Sequence, residues 1–364
     1  MRTLVTIREP GDEPIPLVIE DGRFADPDLG PIDREIDSAH LYALPGLSDC
    51  HAHLSASSIG AMLELTDDEV RRNSRRHAWM QVAGGVLLIA DKGSGTDVTL
   101  EILDAPAAER PQASMAGRMI VPAEGYYAGY GHQVEEEDLI DAVRSVDSRS
   151  EWVKIVADWP RKGQGPVANY TEEAVAKAVE VAHAAGRRVA VHTMAPAGVR
   201  IAVDCGVDSV EHGPFLTADD LATLAARDAC WVPTVANIEF LLEFLGADSS
   251  GGALMQKALG NLRELLPAAE ALGVTTLAGT DLAIPHGAIA HEALKLHEYG
   301  LSARATVTAV STAAYDYLGV ERRFVAGSQA NAVFFVDDPN QRLETLADPV
   351  MIIRAGTIVK APNP

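Results

Sequence analysis

The sequence predicts an α/β chain built as a (β/α)8 TIM barrel, with a small β-sandwich formed from both termini. Three observations lead there. The middle of the chain alternates short apolar runs with amphipathic helical stretches, and eight such runs can be counted. Both ends of the chain read as short strands and turns. Chemistry-bearing side chains recur at the C-terminal ends of the apolar runs, where barrels of this type carry their reactive groups. A doubly wound sheet is the competing fold. It calls for a glycine-rich turn after the first strand, and that place holds His51-Ala52-His53 instead.

At the start of the chain, residues 4–7, 16–20 and 39–43 read as strands, and Asp21-Gly22 after the second reads as a hairpin turn. At the end, 332–336 is an apolar strand and Asp337-Asp338-Pro339 a turn. A hairpin then joins 350–354 to 357–360 around Ala355-Gly356. The sandwich is therefore expected from residues 1–43 and 328–364, and the barrel from 44–327. Barrel strands are expected at 43–49, 86–90, 119–122, 152–157, 188–192, 209–212, 231–235 and 275–281. Their nearly continuous apolar character suits strands covered on both faces. Thr171 is placed to cap a helix with Glu172 and Glu173 in its first turn. Val175, Ala178, Val179 and Ala182 form its apolar stripe, and Gly186 ends it. Thr217 and Asp220 have the spacing of a capping box.

With 364 residues and 47% apolar content, the chain can bury a full core. A net charge of −22 argues against nucleic acid or an anionic membrane as partner, because phosphates would be repelled. Cys50, Cys205 and Cys230 show no paired spacing, which suits a cytoplasmic protein and argues against disulfides or a cysteine zinc site. Met1-Arg2-Thr3-Leu4-Val5 lacks the apolar core of a secretion signal, and no run approaches the roughly 18 apolar residues of a membrane span. A small-molecule substrate is the expected partner, with homo-oligomerisation left open.

The strand ends carry the chemistry. On a strand, side chains at i and i+2 point the same way, so His51 and His53 can aim both imidazoles at one metal ion. The fourth expected strand carries Lys154, the fifth ends in His192, the sixth in His212 and the eighth in Asp281. One strand-end histidine is more often a satisfied polar residue than a ligand. Recurrence at equivalent ends is what points to a metal centre.

This set resembles the amidohydrolase superfamily, in its subtype with two metal ions. Residues 44–54 look like that family's first-strand signature. Glu211-His212-Gly213 after Gly206-Val207-Asp208 resembles its sixth-strand signature. Residues 300–319 look like its post-barrel helices, and Gly327, Ala330 and Asn331 like its return into the sandwich. The nearest likeness is to prolidase-like and imidazolonepropionase-like members, whose third-strand loop is similar to 126–132 with Gly131-His132.

The resemblance implies two divalent ions, expected to be Zn2+. His51, His53 and Asp281 would bind the first, His192 and His212 the second, and Lys154 would bridge them as a carbamate. A lysine with an ordinary pKa near ~10.4 is a cation and cannot ligate. Burial beside metals favours the neutral amine, which can take up carbon dioxide. The implied activity is hydrolysis of an amide or cyclic-amide C–N bond by a hydroxide shared between the metals, with Asp281 as ligand and general acid/base. The alternative is a mononuclear-zinc deaminase of a heterocycle; such members lack the lysine.

For the substrate, His132 and His286 are candidate contacts on loops after the third and eighth strands, and Tyr126 a third. Tyr127, Tyr130 and Trp159 read as aromatic packing nearby. Arg161 and Lys162 could hold a substrate carboxylate, but read more simply as a solvated pair. Residues 237–260, with Ser249-Ser250-Gly251-Gly252, are a candidate lid. Two departures from the prolidase-like pattern are expected to face the pocket: Ala157-Asp158-Trp159-Pro160 after the fourth strand, and Ala90-Asp91-Lys92-Gly93 after the second.

Overall fold

The computed structural model describes residues 1–161 and 165–361. Parallel strands form its centre, beginning with Leu47–Ala52 and Val86–Asp91, both buried at every position. These two pair with each other, and the second pairs with Gln112–Met115. Trp152–Val156 pairs with Arg188–Thr193, followed in turn by Ser209–His212, Cys230–Val232 and Thr275–Thr276. The two sheets join into a closed ring of eight. Glu151 N donates to Met115 O at 2.9 Å on one side, and Cys50 N to Ala278 O at 2.7 Å on the other. Closure removes the free edges that an open sheet would expose. Gly279 makes the second junction fit, because a Cβ there would lie 2.5 Å from that of His51.

The third barrel strand is a correction. It was expected at 119–122, but Gln112–Met115 occupies that place. The mixed polar and apolar character of Gln112-Ala113-Ser114-Met115 hides it from a search for apolar runs. Ile120–Pro122 is an additional strand, paired with His132–Val134 and touching the fourth barrel strand through Ile120 and Ile155. His132 accordingly sits on a strand and not on a loop.

The chain ends form two four-stranded sheets. Thr3–Ile7, Ile15–Glu20, Arg23–Ala25 and Arg34–Glu35 make one. Tyr42–Leu44, Ala332–Phe335, Met351–Arg354 and Thr357–Lys360 make the other. One apolar cluster containing Val5, Ile19, Phe24, Ala332, Phe334 and Ile353 unites them. It is separate from the main core that packs helices around the barrel.

The helices follow their local signals. Thr171 caps Glu172–Ala184, and its buried residues are Val175, Ala178, Val179 and Ala182. Thr217 and Asp220 form a reciprocal capping box on Ala218–Ala226. The candidate lid segment is a helical hairpin, Val235–Leu245 followed by Ser250–Leu272, with Ser249 Oγ capping the second helix at Gly252 N. Among the described residues no helix is long and apolar enough to cross a membrane.

Candidate metal centre and cavity

At the C-terminal mouth of the barrel the predicted strand-end groups converge. Asp281 Oδ1 lies 3.4 Å from His51 Nε2 and 3.2 Å from His53 Nε2, while Oδ2 lies 3.7 Å from His212 Nε2. His212 Nε2 is 2.9 Å from His192 Nδ1. The ligand atoms of His51, His212 and Asp281 all fall within 4.8 Å of one another. Lys154 and His192 line the same cavity as His51, His53 and Asp281.

Three of the four imidazoles, those of His51, His53 and His212, are oriented by their outer nitrogen. His53 Nδ1 meets Gly93 O at 2.6 Å, His212 Nδ1 meets Thr234 Oγ1 at 2.6 Å, and His51 Nδ1 lies 2.6 Å from Glu211 Oε2. The inner Nε2 atoms are thereby left for a cation, the usual division of labour in metal-ligating histidines. The loop after His53 is pinned by Asp91, which accepts from Leu54 N at 2.7 Å and Gly93 N at 2.9 Å. Strand ends turn sharply where side chains must point inward: His212, Thr234 and Asp281 have φ of 64°, 47° and 42°. Left-handed backbone at non-glycine residues is a strain that clusters at functional sites.

The electrostatics favour a bound cation. Burial lowers the pKa of His51 and His192, and pushes His212 down to about 3, so these rings are neutral with lone pairs available. Burial opposes charge on Asp281, but His51, His53 and His212 outweigh it and hold the carboxyl far below its usual range. Burial also opposes charge on His53, yet its hydrogen bond to Asp281 raises its pKa. Burial pushes Lys154 down to about 8. Its Nζ is buried and lacks a hydrogen-bond partner, as does His192 Nε2. Two orphaned nitrogens beside neutral imidazoles and a carboxylate form a donor set that fits metal ions, because buried polar atoms rarely go unmatched.

A family model described as the amidohydrolase family matches residues 42–359. The chain belongs to the amidohydrolase family. An uncharacterized protein of Mycobacterium tuberculosis is 30% identical over 362 residues, spanning 95% of this chain and 92% of its own. Imidazolonepropionase of Salinispora tropica is a more distant homologue, 27% identical over 64% of this chain and 67% of its own. Among solved structures, a Xaa-Pro dipeptidase with methionine in its active site shares the fold. It has a TM-score of 0.83 at 21% identity, covering 99% of this chain and all of that one. The amidohydrolase is thus a metal-dependent hydrolase of that superfamily, and its His51, His212 and Asp281 form a candidate metal site.

Not every expected residue of this amidohydrolase joins the cavity. Tyr126 lines it, with Tyr127 and Trp159. His132 is outside the described lining; it lies in the field of Arg118 and Asp97. His286 is buried elsewhere, stacked 4.2 Å from His77 and bonded through Nε2 to Ala56 O at 2.8 Å. Lys162 and the side chain of Arg161 fall outside the described residues. Lys92 does not face the pocket: its Nζ lies inside the barrel, 2.8 Å from Glu211 Oε1 and 3.8 Å above the Trp152 ring. Sequence reasoning missed the support roles of Glu211, Lys92, Asp91, Thr234 and Asn237. The signal for Glu211 and Lys92 was present as opposite charges inside otherwise apolar strand ends.

Proposed function

We propose that this amidohydrolase cleaves the C–N bond of an amide or cyclic amide with two divalent ions, expected to be zinc. The observation that carries the reading is Lys154: a lysine amine 1% exposed, unpartnered, among neutral imidazoles. A single ion needs no such group, whereas an ion pair needs an anionic bridge. His51, His53 and Asp281 would hold one ion, and His192 and His212 the other. Lys154 would join them after its neutral Nζ adds to carbon dioxide and releases a proton, giving a carbamate with two oxygens. When bound, such ions supply nucleophilic water at neutral pH and polarise the scissile carbonyl.

The chain's own groups do the rest. Asp281 has both oxygens near the imidazoles, and Oδ2 also accepts from Asn237 Nδ2 at 2.6 Å; this fixed carboxylate would take a proton from water and pass it to the departing nitrogen. Glu211 fixes the ring of His51, Gly93 that of His53 and Thr234 that of His212. Tyr126 and its aromatic neighbours wall the cavity and exclude bulk water.

The test is metal analysis joined to a substrate screen. Protein refolded with zinc and bicarbonate is expected to bind two equivalents and to hydrolyse members of a panel of N-acyl amino acids, dipeptides and lactams. One equivalent with release of ammonia from a heterocycle would support the mononuclear deaminase instead.

A further inference from the structure

We infer that the cavity selects a substrate whose group beside the scissile bond is an uncharged aromatic or bulky apolar residue, with no free carboxylate next to it. The inference rests on the hydrolase reading above and narrows its substrate class. The cavity has a volume of about 250 Å³, room for roughly one ring and its linkage. Its polar lining offers little to an anion. His51, His53, Lys154, His192 and Asp281 are assigned to the proposed metal centre, and Asn237 gives its Nδ2 to Asp281, which leaves its buried, unpartnered Oδ1, an acceptor that a carboxylate would avoid.

The remaining described lining residues are apolar or aromatic, the hydroxyl-bearing Tyr126 and Tyr127 among them, and form two groups. One group is a chain of rings leading out from the metal centre. Trp159 lies 5.7 Å from the His192 ring and 4.5 and 5.2 Å from Tyr126 and Tyr127. Burial raises the pKa of both tyrosines, so neither becomes charged near neutrality. The other group comes from the helical hairpin, which contributes Leu241 and Phe244. Phe244 is 75% exposed and stacks on Phe240, which is itself 42% exposed like the adjacent Leu245, so an exposed apolar patch adjoins the cavity, as at ligand-binding grooves. Edge and face contacts with Trp159 and the tyrosines reward an aromatic group here. A carboxylate in the same place would lose its hydration with no cation among the described lining residues apart from the metal centre. The departure at Trp159 from the prolidase-like pattern therefore has a steric and electrostatic consequence.

The experiment uses zinc-loaded full-length protein and a matched pair: phenylacetanilide and its anilide-ring para-carboxylate. Binding is read by calorimetry and turnover by release of the aniline. The neutral compound is expected to bind at least ~10-fold tighter. Phe244→Ala, at an exposed position where folding is insensitive, is expected to weaken the neutral compound about 3–10-fold and to leave the carboxylate little changed. Trp159→Ala should weaken the neutral compound more. Tighter neutral binding without turnover of any amide would uphold the selectivity and defeat the hydrolase reading. Equal or tighter binding of the carboxylate would overturn the inference, whatever the turnover. So would a carboxylate preference that Lys162→Ala abolishes.

Discussion

His51 Nδ1 lies 2.6 Å from Glu211 Oε2, and the second oxygen of that carboxylate takes Lys92 Nζ at 2.8 Å. One buried anion thus orients an imidazole of the candidate metal site and neutralises a buried ammonium. Glu211 is held ionised although burial opposes it, because Lys92, Lys154 and His51 surround it. Ser209 Oγ donates to Oε1 as well.

Glu211→Gln is expected to weaken metal binding by about 10–100-fold, as loss of an outer partner of a ligand histidine does. It also leaves Lys92 buried without its counter-charge, a loss of about 3 kcal/mol or more. The double variant Glu211→Gln/Lys92→Met should recover most of that stability and none of the affinity. Chelator competition reads the first quantity and urea unfolding of the metal-free protein the second. Parallel recovery of both would show that Glu211 acts on fold stability and not on His51.

Lys154→Met gives effects of opposite sign. In the metal-free protein Nζ is buried and unpartnered, so an apolar side chain of similar length should raise the stability of the apoprotein by about 1–3 kcal/mol. Bound zinc should fall from two equivalents to one or fewer. A variant that keeps two equivalents would remove the bridging role of Lys154. In the unchanged protein, reconstitution without bicarbonate should be slower and less complete than with it.

The clustering of the candidate site residues was legible because a barrel delivers every strand end to one mouth, so residue type at equivalent ends carries the signal. His51, His53, Lys154, His192, His212 and Asp281 need only strand assignment to be brought together. The supports were not legible, because they depend on departures from regular geometry. Alternation would send Glu211 and the adjacent His212 to opposite faces. The left-handed φ of 64° at His212 turns its ring back to the centre while Glu211 points into the barrel. The strand Gln112–Met115 was hidden by its polar residues, although Ser114 uses its hydroxyl to accept from Trp152 Nε1 at 2.8 Å. His286 resembled a loop histidine at the mouth. Its partner His77 lies 209 positions earlier, on helix Asp67–Ala83, and no local pattern announces a stack between them.

Asp281→Asn isolates proton transfer from metal binding. The amide keeps the shape and one oxygen but cannot carry a proton between water and the leaving nitrogen. Turnover is expected to fall by about 10²–10⁴, with a smaller change in zinc content. Asn237→Ala removes the 2.6 Å donor to Oδ2, and should lower turnover less than Asp281→Asn does. Turnover near the unchanged level in a zinc-loaded Asp281→Asn protein would contradict the assigned role.

Glu292 ties stability to pH at a distance from the metal centre. Its carboxyl is wholly buried and accepts from Val235 N at 2.7 Å and Ala236 N at 2.9 Å, where the first hairpin helix begins. Burial is the larger influence and pushes its pKa up to about 8 from an ordinary 4.5, with Asp49 and Glu239 adding to the rise against the two backbone donors. Between those values the folded protein keeps a proton that the unfolded chain has lost. The stabilising contribution is therefore complete below pH 4.5 and is lost as pH rises through about 8. The slope approaches ~1.4 kcal/mol per pH unit inside the window. Glu292→Gln keeps an oxygen acceptor and cannot ionise, so its stability should vary less steeply with pH than that of the unchanged protein. Urea midpoints measured at pH 5, 6, 7 and 8 on both proteins give the difference directly, because every other titrating group is common to the two (roughly unperturbed by the swap). Identical slopes across that range would mean that Glu292 is already ionised in the fold, with the helix N-terminus outweighing its burial.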